Sequence, residues 1–104
     1  MMKVLSVTIM AASVSLAAPA WAVSSDAEVS CAYQADVVQA VRQARLDRVK
    51  ERGVAKHVAA SAPAWPAKYN AVVPLVTPWV YEMKMRDVKA NDLGAAWKEM
   101  CLGR

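Results

Sequence analysis

The chain has no phenylalanine, one histidine (His57), three glycines and two cysteines in 104 residues. Each scarcity excludes something. A lone histidine and two distant cysteines do not complete a zinc site, which needs a full set of such ligands. Without Cys-x-x-Cys-His there is no attachment point for a c-type haem. There is no Gly-x-Ser-x-Gly turn, no His-Glu-x-x-His and no glycine-rich phosphate loop. Ser61 stands four residues from His57, with no strained nucleophile turn around it. Glu82 and Glu99 are carboxylates of the type that cleave sugars in pairs. Both read as helix surface, Glu82 with Arg86 at i+4 in the favourable order. The expectation is a protein that is not an enzyme and holds neither metal nor cofactor.

Long apolar runs are also missing. Val4–Ala18 is uncharged and apolar, but shorter than the ~20 residues that a membrane span requires. Lys3 precedes it, and Pro19 followed by Ala20-Trp21-Ala22 closes it with a small-x-small site. This pattern predicts a signal peptide over 1–22, cleaved after Ala22. No cysteine stands at the cleavage site, which argues against a lipoprotein. The expected mature chain, 23–104, is a single helical domain without a transmembrane span, exported to the bacterial periplasm. Nucleic acid is not the expected partner in that compartment.

So short a domain buries a modest share of its surface and gains from a covalent staple. Cys31 and Cys101 lie near the two ends of the mature chain. In an oxidising compartment they read as one disulfide. Closing a loop of that length contributes about 4 kcal/mol in the chain-entropy treatment.

The periodicity is helical throughout. Ser24 or Ser25 is a candidate N-cap, and Ser25 with Glu28 matches a capping box. The first helix is expected over about 26–52, with Gly53 as the residue just past its end. A two-turn helix is expected over 54–61. Pro66 suits the first position of a helix through Val73, which Pro74 would kink or end. Thr77-Pro78 reads as a fresh start running to about residue 88, and Asp92 as the N-cap of the last helix. The sum is an all-α bundle of four to five helices stapled by Cys31–Cys101. The core is expected to draw on valine and leucine, on Trp and Tyr, and on methionine.

What the chain has in plenty is positive charge: thirteen Lys and Arg against nine acids, a net +4. On one continuous helix, Arg42, Arg45, Arg48, Arg52 and Lys56 would fall within about 120° of one another. Asp47 and Glu51 would lie opposite. That stripe is a candidate contact for an acidic protein or an anionic envelope component, or else a solvated face that keeps the chain soluble. Trp65, flanked by Pro63 and Pro66, and Trp79 are candidate interface aromatics.

In outline, though in no motif, the chain resembles the small disulfide-stapled helical proteins of the bacterial periplasm, the acid-stress chaperones among them. That resemblance carries over no functional position. The expected function is a non-enzymatic binding protein that meets an acidic or envelope partner. The alternative is a stress chaperone that exposes its Trp, Met and Tyr cluster. Oligomeric state is not legible in these residues.

Overall fold

The computed structural model describes residues 24–104; the expected signal peptide over 1–22 lies outside them. Five α-helices follow one another: α1 Ser25–Leu46, α2 Val54–Ala60, α3 Val72–Glu82, α4 Met85–Ala90 and α5 Leu93–Cys101. Turns of 3-10 helix at Glu51–Gly53 and Ala67–Ala71 lead into α2 and α3. The described residues thus form the expected all-α bundle, and Cys31 and Cys101 form its disulfide across a separation of 70 residues.

Local chemistry sets the helix starts. Ser24, not Ser25, caps α1, its hydroxyl accepting from the Ala27 N–H at 3.1 Å. Glu28 then falls out of the capping-box position and instead meets Lys98 Nζ of α5 at 3.2 Å. Asp92 caps α5 as expected, accepting from the Ala95 N–H at 3.0 Å.

Two helix boundaries differ from the sequence expectation. The first helix stops at Leu46 rather than at residue 52. The Val49 N–H donates to the Ala44 carbonyl, and the Arg48 N–H to the Arg45 carbonyl. This pair of bonds is a Schellman ending, with Arg48 in the left-handed position at φ 62°. Gly53, at φ −95°, needs no left-handed freedom. The chain turns early because Val54 and Val58 of α2 must reach the core, and a straight helix to residue 52 would carry them past it.

The second difference lies in the proline-rich stretch. One helix, α3, runs through both Pro74 and Pro78. Pro74 occupies the first turn, where a backbone N–H has no intrahelical acceptor to lose. Thr77 is not a cap. It is buried inside the helix, and its hydroxyl donates to the Val73 carbonyl at 2.6 Å. The helix ends at Glu82, and extended backbone at Met83 and Lys84 separates it from α4. This bend lets Val80 of α3 and Val88 of α4 both be fully buried.

Contacts give the directions of the helices. Cys31 meets Cys101, Gln34 meets Trp97, and Gln39 meets Asp92, so α5 runs antiparallel to α1. Tyr33 stacks near Tyr69, and Arg45 lies over Tyr81, so α3 runs in the same sense as α1. α2 packs against both α1 and α3. The centre is built of valine: Val37, Val38, Val41, Val54, Val76, Val80 and Val88 are fully buried. Each contributes about 1.5 kcal/mol or more by leaving water. Valine's stiff side chain also gives up little rotamer freedom when it packs. Trp65, Trp79 and Trp97 lie at the rim, half-buried against these valines, with Tyr33, Tyr81 and several methionines.

Candidate functional site

The early end of α1 divides the basic stripe. Arg42 Nε donates to the Val88 carbonyl at 2.9 Å, and its Nη2 to the Lys89 carbonyl at 3.2 Å. Those are among the last carbonyls of α4, whose partial negative charge attracts a guanidinium. Arg45 Nη2 reaches the Met83 carbonyl just past α3 at 3.5 Å, and its guanidinium lies 5.0 Å from the Tyr81 ring centroid. Its Nε is buried without a hydrogen-bond partner. Arg42 and Arg45 therefore turn inward and hold other helices. They do not share a face with Arg48, Arg52 and Lys56, because a single helix through all five positions does not exist.

Those last three follow one another on the corner that runs from the Schellman turn through the 3-10 turn into α2. Lys50 joins them there. The helical-wheel expectation had missed it, since a continuous helix would have turned it to another side. Arg48, Lys50, Arg52 and Lys56 are all exposed. Among the described residues, none of the four makes an ion pair or a side-chain hydrogen bond. Of the corner's two acids, Asp47 accepts from Gln43 Nε2 at 3.0 Å, and Glu51 is exposed.

Tyr81 fixes the corner to α3: its hydroxyl donates to the Val49 carbonyl at 2.5 Å. Burial pushes the Tyr81 phenol above its ordinary pKa. The Arg45 charge pulls the other way, and Glu51 adds to the rise. The phenol therefore stays protonated, and a donor, through the neutral range. The corner presents exposed cations on a backbone tied to α3, an arrangement suited to anions.

The aromatic candidates have different roles. Trp65 is half-buried, and its indole N–H donates to Asn70 Oδ1 at 2.8 Å. Trp79 tilts against Trp97 at 5.6 Å between centroids, and Trp97 donates to Gln34 Oε1 at 3.1 Å. The two carboxylates weighed for sugar cleavage have other surroundings. Glu99 pairs with Arg104 at 2.9 Å. Arg86 turns to Asp87 rather than to Glu82, because α3 has ended between them. Ser61 Oγ donates to the Val58 carbonyl rather than to His57. Among the described residues, no three His, Cys, Asp or Glu side chains gather in a metal-holding group, and no helix is long and apolar enough to cross a membrane.

No protein-family model matches the chain, and neither does any curated protein or solved structure.

Proposed function

We propose that this protein is a non-enzymatic binding protein of the periplasm, whose basic corner meets an acidic protein or an anionic component of the cell envelope. The observation that carries this reading is the division of labour among the arginines. Arg42 and Arg45 are engaged with backbone carbonyls, whereas Arg48, Lys50, Arg52 and Lys56 are exposed and have no side-chain partner among the described residues. A solvated face that served only solubility would not require its cations to gather on one rigid corner. Export rests on the signal-like pattern of residues 1–22, and the disulfide is in keeping with an oxidising compartment.

The test compares variants for co-sedimentation with phosphatidylglycerol vesicles and with peptidoglycan sacculi. The double variant Arg48→Gln, Arg52→Gln removes two exposed charges without touching a packed contact. Its binding should fall by roughly tenfold or more, at about 1 kcal/mol per charge near an anionic surface. Wild-type binding should also weaken as salt shortens the Debye length from ~10 Å at 0.1 M to ~3 Å at 1 M. Arg42→Gln serves as the contrast: it should lower the melting temperature and leave the binding of the folded fraction unchanged. Equal binding by wild type and the double variant on both surfaces would sink the reading.

A further inference from the structure

All nine acids of the chain lie either before residue 52 or after residue 81. The stretch between, which builds α2, its connection and α3, contains Arg52, Lys56 and Lys68 and not one carboxylate. It also carries the most exposed large apolar side chain of the described residues, Leu75, at 71%. Leu75 is not isolated. Val73, Val76, Thr77 and Val80 form the buried strip of α3, and the opposite strip consists of Ala71, Pro74, Leu75 and Pro78, all exposed. This face is apolar until Glu82. Beside it, α2 exposes Ala55, Ala59 and Ala60 along with Lys56 and His57. At the far end of α3, the Tyr81–Val49 hydrogen bond brings the basic corner alongside.

We infer that this α2–α3 face is a membrane-contact surface, which seats Leu75 and its neighbours at the headgroup level of an anionic lipid bilayer. The inference rests on the reading of the basic corner as an anion contact, and names its partner as lipid. Charge complementarity decides it. An anionic bilayer attracts polybasic segments and accepts apolar side chains at its boundary. Here the apolar strip and the exposed cations adjoin: Arg48, Lys50, Arg52 and Lys56 outnumber the corner's Asp47 and Glu51, and no carboxylate lies along the chain between Arg52 and Tyr81. The other exposed apolar pair, Val29 and Met100, is placed differently. It lies at the disulfide end, where Lys98 and Arg104 are engaged by Glu28 and Glu99 and Asp26 adds a further negative charge. Trp65, half-buried in the connection between α2 and α3, is of the residue type that lodges where apolar and aqueous phases meet.

The experiment uses the folded, oxidised protein and vesicles of pure phosphatidylcholine or of phosphatidylcholine with phosphatidylglycerol. Binding is read by flotation and by tryptophan emission. Leu75→Ser and Leu75→Asp change an exposed position, so circular dichroism and melting should match wild type. The expected result is binding to the anionic vesicles with a blue shift in emission. Leu75→Ser should weaken it by roughly tenfold, Leu75→Asp should weaken it further, and 1 M salt should weaken it in every variant. If the Leu75 variants bind anionic vesicles as wild type does, while Arg48→Gln with Arg52→Gln loses binding, the corner is an anion contact and the apolar face is not its seat. Binding to sacculi without binding to vesicles likewise overturns the lipid assignment and leaves the corner reading standing. A concentration-dependent dimer that Leu75→Ser abolishes, with no vesicle binding, assigns the face to a second copy and overturns this inference. No binding to either anionic surface overturns both.

Discussion

The two sides of this bundle are held together by different means. Where α1 meets α5, the contacts are directional: a disulfide, the Gln34–Trp97 and Gln39–Asp92 hydrogen bonds, and the Glu28–Lys98 ion pair. Where α2 and α3 meet α1, the contacts are chiefly valine on valine. Among the described residues, the polar bonds on that side are mostly local, such as Thr77 to Val73 and Trp65 to Asn70. Directional contacts fix register, because a one-residue slip breaks them all. Apolar packing tolerates adjustment and gives most of its stabilisation in bulk. The side held in bulk is also the side whose outer surface is apolar, with no acid from Arg52 through Tyr81.

The largest test of this contrast is to cut the directional side. Cys31→Ser or Cys101→Ser should lower stability by about 2 to 5 kcal/mol, the usual loss when a small domain gives up a native disulfide. The drop would be read by urea titration of the oxidised wild type against each variant. Unchanged midpoints would show that the valine side alone carries the fold. The next test thins that side. Val80→Ala removes two methyl groups from a fully buried position and should cost roughly 2 kcal/mol. A shift well under 1 kcal/mol would mean that α3 relaxes into the gap, and so that the apolar side is softer than its burial implies.

The smallest effect is expected at the joint between the sides. Arg48 holds a left-handed conformation that glycine adopts without strain. Arg48→Gly should therefore raise stability by about 1 kcal/mol while removing a cation from the corner. Thermal melts would read the first effect and vesicle binding the second. A destabilised variant would show that the Arg48 side chain makes a contact that its exposure does not reveal.

Much of the architecture was legible in the sequence, because helical period and caps are local signals. Asp92 as a cap, the all-α class and the Cys31–Cys101 pairing all followed from residue type and spacing. The misread boundaries share one cause. Gly53 carried the strongest local stop signal, yet the left-handed residue is Arg48, chosen by the burial of valines on the next helix. Pro78 signalled a restart, yet α3 continues because its buried strip, Val73 through Val80, is worth more than one backbone hydrogen bond. The candidate site suffered from the same error. Once α1 was extended past Leu46, Arg42 and Arg45 joined the wrong face and Lys50 was left out. No periodicity reports that a guanidinium will bond to carbonyls more than thirty residues away along the chain. The absence of acids between 52 and 81, by contrast, could have been read from the sequence. It gains its meaning only when α3 is seen to turn Pro74, Leu75 and Pro78 outward.

Because Cys31 lies in the second turn of α1 and Cys101 at the end of α5, nearly every described residue belongs to one covalent ring. A protease that clips the exposed Ser61–Ala62 stretch does not release a fragment. It converts the ring into a two-chain molecule, with α1 and α2 on one piece and α3 to α5 on the other, still joined through sulfur. Such a nicked form keeps its helices at high effective concentration and can close again. On a gel it would run as a single species until reductant separates it into two.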